Sequence, residues 1–265
     1  MSYVDLSIPD LALAALLLVV NGALSFALGL RFELSLAVAA LRMVVQISAI
    51  GMLLKFVLGQ TSPGWTALVG LVMVLVAAFE LLRRQERRFR SWVMYGLGSA
   101  VLLLTGGLGA LYAVAIVAGP ELLSNPRYLL PVLGMALGNT LTSASLSLQT
   151  LAEGVELERG AIEARIALGA TRFAAFSSLL QRAFRTATTP LIAAMALAGA
   201  VAMPDMMAGQ ILAGADPVAA ARQQIMIMLV LAGAAALGAL AAAVGGVRLL
   251  TDKRHRLRLD RLAQA

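Results

Sequence analysis

The chain has no cysteine and a single histidine, His255. Disulfides, thiolate metal centres and cysteine nucleophiles are therefore excluded, and one chain cannot build a histidine metal site within its apolar segments. Charge is scarce too: 13% of residues are Asp, Glu, Lys or Arg, about half the share usual in soluble domains. No G-x-x-x-x-G-K-[ST] motif occurs, so no phosphate-cradling loop belongs to this chain. No fixed-period repeat is evident. No basic stretch precedes the first apolar block, which carries Asp5 and Asp10 instead, so that block reads as a retained span and not as a cleaved leader.

What remains is apolar. Of 265 residues, 60% are hydrophobic and the mean hydropathy is +0.88. The apolar residues come in blocks of about 20 or more, the length a helix needs to cross a bilayer. Seven candidate helices cover roughly 9–30, 34–58, 65–82, 92–118, 128–150, 187–213 and 222–250. Only helices satisfy their own backbone within lipid, so the expected fold is all-α, a single integral membrane domain over 1–265 with lipid around it.

The net charge of +7 does not point to nucleic acid, because no soluble domain exists to carry a basic face. It points to orientation. All but four of the basic side chains fall on alternate connections: Arg31; Arg83, Arg84, Arg87, Arg88 and Arg90; the 151–186 loop; and the tail 251–265 with the approach to it from Arg248. The exceptions are Lys55, Arg127 and Arg222 at the opposite ends, and Arg42 within a span. Basic loops stay in the cytoplasm, which places the N-terminus outside and the C-terminus inside a cell membrane. An odd number of spans fits that arrangement. His255 falls in the tail and is expected to be solvated.

The 151–186 loop is the largest piece outside the spans. Leu157 to Phe176 reads as a helix, with Ile162, Ile166, Leu168 and Phe173 as an apolar stripe and Glu158, Arg159, Glu163, Arg165 and Arg172 as its polar face. Glu158 and Glu163 lie near its start, where the helix dipole favours acids. Gly169 breaks the helix or lets it turn. Such a helix can lie on the membrane surface, or dock a partner, and the two are compatible.

Polar groups inside spans are costly and often functional. Arg42 and Gln46 share one helix face. Asn139, Thr142, Ser143 and Ser147 trace a stripe along the fifth span, which suits packing or a pathway. The sixth span is the most irregular, with Pro190, Pro204, Gly209 and Gly214; broken helices often line transporter cavities. There Asp205 and Gln210 offer oxygen, and Met203, Met206 and Met207 offer thioether sulfur, which suits softer ions. No ligand set demands a metal, and methionine is a common core filler. Gly134 and Gly138 form a GxxxG pair, a close-packing motif.

Two sequence blocks carry a resemblance. Glu163-Ala164, with Arg165 next and Gly169 six positions after the glutamate, resembles the EAA loop of ABC-transporter permeases; Arg165 stands where the family has a second alanine. Met203-Pro204-Asp205-Met206-Met207-Ala208-Gly209-Gln210-Ile211-Leu212-Ala213-Gly214, running on to Arg222-Gln223-Gln224-Ile225, resembles the signature of FetB-type permeases, with Asp205 where those have glycine. Arg42-Met43-Val44-Val45-Gln46 and Pro131 to Asn139 are similar to the same family, whose bacterial members are implicated in iron export and whose relatives include plant aluminium-tolerance permeases. The resemblance implies a coupling helix at Glu163, Ala164, Arg165 and Gly169 that docks on an ATP-binding cassette ATPase subunit. It implies a translocation path among Arg42, Gln46, Asn139, Met203, Asp205, Met206, Met207 and Gln210. It also implies a permease homodimer, and ATP and Mg held by the partner, so that this chain has no catalytic residue and no cofactor of its own. The residues leave two other classes open: a gradient-driven secondary transporter, which calls for paired intramembrane acids, and a membrane scaffold that anchors soluble partners.

Overall fold

The computed structural model describes residues 8–57, 63–85, 92–117, 119, 123, 125–252 and 256–259. Arg87, Arg88, Arg90 and His255 lie outside them. The described residues form eleven α-helices and one π-helical turn. Six helices, one of them interrupted by the π turn, are long and apolar enough to cross a membrane.

The chain divides into two compact units, 1–60 and 61–265. The first is a helical hairpin of α1 (Ile8–Ala27) and α2 (Glu33–Val57). Its turn uses Gly29 and Arg31 in the left-handed region. Ser25, nearly fully buried, ties the hairpin: its hydroxyl donates to Glu33 Oε2 at 3.0 Å and accepts from the Phe32 amide at 3.0 Å. Most other positions on both helices are exposed and apolar.

The second unit is built on two long helices, α6 (Pro126–Leu157) and α11 (Pro217–Leu250). Both start at an Asx-Pro step. Asn125 Oδ1 accepts from the Arg127 amide at 3.0 Å, and Asp216 Oδ2 accepts from the Ala219 amide at 2.8 Å. Proline at the first helical position loses no bond, because that N–H has no partner in a helix anyway. Around the pair stand α3 (Pro63–Arg83), the composite of α4 (Trp92–Val101), the π turn (Leu102–Gly107) and α5 (Leu108–Val117), and α9 (Ser177–Leu197).

Lipid tails are as apolar as leucine, so these helices associate by close packing and not by hydrophobic exclusion. Glycine on α11 and its neighbours sets the approach. A Cβ at Gly238 would lie 2.5 Å from Thr140 Cγ2 and 3.0 Å from Thr105 Oγ1. One at Gly109 would lie 2.7 Å from Ala234 Cβ, one at Gly245 2.6 Å from Leu97, and one at Gly246 2.6 Å from Leu151. These registers show that α6 and α11 run the same way, with the α4–α5 composite against them. Gly70 faces Leu133, and fifteen residues on Gln85 Nε2 reaches Ser145 O at 3.5 Å, so α3 runs alongside α6 in the same direction. Gly154 receives Leu179 of α9. α3, α6 and α11 thus run in one direction and the α4–α5 composite in the other.

Polar groups inside the unit are few. Ser147 Oγ donates to Ala239 O across the α6–α11 interface at 2.9 Å. Thr105 Oγ1 bonds Val101 O at 2.7 Å within the π turn. Thr140 is fully buried, and its hydroxyl has no hydrogen-bond partner.

Three expectations are corrected. The sixth span, 187–213, is not one helix. α9 begins at Ser177 and ends at Leu197; Gly199 takes φ +79, its amide bonds Ala202 O at 2.9 Å, and Pro204 precedes a separate short helix, α10 (Asp205–Leu212). The left-handed glycine and the missing donor of Pro204 together end the helix. Next, α6 runs seven residues beyond its expected end, since nothing in Leu151–Leu157 breaks it. Lastly, the tail beyond α11 is not only a basic stretch, while His255, expected to be solvated, lies outside the described residues. Thr251 and Leu257 form an antiparallel bridge, the Arg258 amide bonds Leu250 O at 2.8 Å, and Leu257 and Leu259 pack on the core.

Candidate functional site

Leu157–Phe176 is not a single helix. It contains α7 (Arg159–Ala167), a turn, and α8 (Arg172–Ala175). Gly169 makes the turn at φ +90, with the Gly169 amide on Ile166 O and the Ala170 amide on Arg165 O. Only glycine adopts this conformation without a Cβ penalty. Gly169→Ala is accordingly expected to loosen the turn by about 1–2 kcal/mol. Hydrogen exchange in α7 should accelerate while the spanning helices stay protected.

One face of α7 is anchored. Ile162 is fully buried, and Ile166 and Ala170 pack against the same core. Leu168 does not join that stripe: it is 88% exposed, as is Leu157 at 86%, so an apolar side chain stands in the open at each end of α7. Phe173 is also exposed, with the Arg248 guanidinium 6.0 Å from its ring centre.

Two polar ties hold α7 to α9. Glu158 pairs with Arg182 at 2.7 Å. Arg165 donates from Nη1 to Ala175 O at 3.1 Å and to Ser178 Oγ at 3.2 Å. Arg165 therefore braces the loop although it is itself exposed, and Glu163 and Ala164 are among the other exposed positions of the helix. Glu163 pairs with Arg159 at 2.9 Å, one turn back along the same helix. On the far side, Arg172 reaches Thr251 Oγ1 at 3.4 Å, which links α8 to the end of α11.

The expected pathway residues fall into three groups. Arg42, half-buried, and Gln46, exposed, lie on α2 of the first unit. Asn139 lies on an exposed face of α6, its amide bonded to Met135 O at 3.0 Å. Thr142 shares that face, whereas Ser143 and Ser147 are buried, so the sequence stripe is two faces and not one. Gly138 has open space beside it, so among the described residues the GxxxG pair packs no helix at that end. The third group surrounds α10. Asp205 and Met203 are exposed, Met206 packs on the core, and Gln210 Nε2 donates to Gln223 Oε1 at 2.9 Å, joining α10 to α11. Beside it, Gln224 Oε1 is buried without a partner. The resembling block runs through Gln223 and Gln224 without marking either as a site residue; that Gln223, less than two turns into α11, stands opposite Gln210 is a tertiary fact. Among the described residues no three His, Cys, Asp or Glu come together as a metal site.

Long apolar helices packed through glycine and alanine, with an amphipathic helix held at one end of the bundle, define a multi-pass α-helical membrane protein. The chain belongs to the family described as Uncharacterised protein family (UPF0014), whose model matches residues 8–250. It is 29% identical over 253 residues to the probable iron export permease protein FetB of Escherichia coli K12, a match that covers 96% of this chain and 95% of that one. It is 34% identical over 212 residues to the UPF0014 membrane protein STAR2 of Oryza sativa, covering 80% and 72% of the two chains. It is 30% identical over 227 residues to the protein ALUMINUM SENSITIVE 3 of Arabidopsis thaliana, covering 86% and 80%. No solved structure matches the chain.

Proposed function

We propose that this chain is the membrane-spanning permease subunit of a two-component ABC transporter. It would export a metal cation such as iron, driven by ATP hydrolysed with Mg on a separate ATP-binding cassette subunit. Two copies of the permease would work as a homodimer in the cell membrane, N-terminus outside and C-terminus cytoplasmic, as the charge pattern orients it. Permease activity and the iron substrate are drawn from the similarity to the Escherichia coli relative, a probable iron export permease.

One observation carries the coupling role. α7 is fixed on one side by Ile162, by Glu158–Arg182 and by the Arg165 brace, while Leu157, Leu168, Glu163 and Ala164 remain exposed on the other. A helix that merely rests on a bilayer gains nothing from being braced by hydrogen bonds to α8 and α9. A lever does, because force applied to its exposed side passes into α9 without slack. Exposed leucines flanking such a helix suit a cleft on a soluble partner, where apolar anchors dominate binding energy.

The test is reconstitution of the chain with its ATPase in vesicles, with ATP and Fe2+ supplied on the α7 side. ATP-dependent movement of iron away from that side supports the assignment. ATPase turnover that ignores the presence of this chain would refute it.

A further inference from the structure

α6 is the least apolar of the six long helices, and its exposed side shows why. Asn139, Thr142, Gln149, Thr150 and Glu153 share one face, at spacings that return to it after one or two turns. Asn139, Thr142 and Glu153 are exposed, and Gln149 and Thr150 are partly so. The face begins near the middle of the helix and runs about 21 Å, at 1.5 Å per residue, to the end that leads into α7. One apolar side chain interrupts it: Leu146, partly exposed, one turn from Thr142 and just under one from Gln149. On the other half of α6 the exposed positions include Tyr128 and Pro131, and no charged side chain lies between Tyr128 and Asn139.

Asn139 and Thr142 lie within the expected span and cannot face hydrocarbon without cost, so that part of the strip faces water or another polar surface, while Glu153 lies just past the expected span end. Asn139 Nδ2 donates to Met135 O at 3.0 Å, Thr142 Oγ1 to Gly138 O at 3.0 Å, and Gln149 Nε2 to Glu153 Oε1 at 3.0 Å. The hydroxyl proton of Thr142 and one N–H of each amide are thus turned back onto the helix itself. Left for other partners are the Asn139 and Gln149 carbonyls, the Thr142 lone pairs and the second oxygen of the Glu153 carboxylate, with one N–H on each amide. A row of oxygens ending in a carboxylate suits a hydrated cation. The Arg182 guanidinium of α9, beside Gly154, is occupied by Glu158 at 2.7 Å.

Resting on the permease assignment above, we propose that this face of α6 is the wall of a half-pathway, open toward the α7 side, for an oxygen-coordinated divalent cation. Glu153 attracts the ion at the mouth, where Gln149 and Thr150 replace part of its water. Thr142 and Asn139 form a second step deeper in. Leu146 stands between the two steps as an apolar constriction, the kind of element that closes a pore by excluding water. The ion class follows from the donors. They are oxygens, and the thioethers of Met203, Met206 and Met207 lie in and beside α10, outside this face.

The chain contains no cysteine, so single cysteines can be read without a background. Gln149→Cys and Thr142→Cys, one on each side of Leu146, are compared with Leu104→Cys and Leu237→Cys. The controls replace exposed apolar side chains on the π turn and on α11. They lie near the level of Thr142, because the nearby Gly106 and Gly238 face Thr140. A membrane-impermeant cationic methanethiosulfonate reagent is added to vesicles with the α7 side outward. A thiol in hydrocarbon does not ionise, so the strip cysteines should react about tenfold faster or more than the controls. Added Mn2+ should slow the reaction at Thr142→Cys, which lies behind the mouth, and Glu153→Gln should remove that protection. Strip cysteines as inert as the controls would overturn the pathway. Spontaneous disulfides between copies, without reagent access, would overturn it too, in favour of a dimer contact. Reaction only from the opposite side would overturn the direction of opening, and access without Mn2+ protection would overturn the cation. None of these readouts uses the ATPase, so their failure is separable from failure of the coupling assignment.

Discussion

Gly238→Ala is expected to be among the most damaging one-methyl changes in this chain. The new carbon would sit 2.5 Å from Thr140 Cγ2 and 3.0 Å from Thr105 Oγ1. Neither neighbour is the far end of a flexible side chain. Both are β-branched residues whose atoms stand one bond beyond Cβ, and Thr105 is also held by its bond to Val101 O at 2.7 Å. Relief therefore means moving α11 away from α6 and the π turn together. Overpacking of this kind costs about 1–3 kcal/mol. The expected reading is a lower melting temperature in detergent and a lower yield of folded protein. Gly233→Ala, on the same helix with nothing within 4 Å of its added carbon, is the control and should be neutral. Thr140→Ser deletes the clashing methyl, so the double variant should recover most of the loss. If Gly238→Ala is as stable as Gly233→Ala, the close approach of these three elements is wrong.

The second large effect is expected at Glu163. Its side chain is about half exposed, and its pair with Arg159 at 2.9 Å is a surface ion pair within one helix. Such pairs contribute at most a few tenths of a kcal/mol, about 0.3–0.5. Glu163→Lys should therefore leave folding nearly untouched. Its expected consequence lies at the partner. A reversed charge on the exposed side of α7 places two cations, Lys and Arg159, where a carboxylate had balanced one. Repulsion across a docked interface costs several kcal/mol, so ATP-driven transport should fall by about tenfold or more. Leu168→Asp, at a position 88% exposed in this chain, should act the same way by removing an apolar anchor. Arg165→Ala should differ. Arg165 bonds Ala175 O and Ser178 Oγ, so its loss should slacken the brace between α7 and α9 while the partner still binds. Pull-down with the ATPase and metal flux, measured on all three, separate docking from transmission. Full transport by Glu163→Lys at wild-type ATPase occupancy would remove α7 from the mechanism.

The candidate site is legible in the sequence in unequal parts. Gly169 reads as a stop and is one, because a left-handed turn needs the missing Cβ whatever surrounds it. The helix caps at Asn125-Pro126 and Asp216-Pro217 follow equally from local chemistry. Arg165 reads as a docking residue from its place beside Glu163, whereas its side chain turns back to α8 and α9. Ser143 and Ser147 read as continuous with Asn139 and Thr142, yet spacings of four and five on a helix drift around its surface. Only the position of α11 separates them: it buries Ser147 against Ala239 O and leaves Asn139 open.

Composition alone determined that this chain lives in a membrane as helices. Blocks of apolar residues with so few charges have no other stable solvent, and a backbone in lipid must bond within its own segment. Charge alternation likewise supplies the expected order of up and down. The tertiary structure decided what no local pattern encodes: the end of α9 at Leu197 with a separate α10, the π turn facing Gly238, and the sorting of polar side chains on α6 into a buried seam and an exposed strip. A residue's periodicity fixes which face of its helix it occupies. Which face meets a neighbour depends on where the other helices stand, and that is settled by contacts between residues as far apart as Thr105, Thr140 and Gly238.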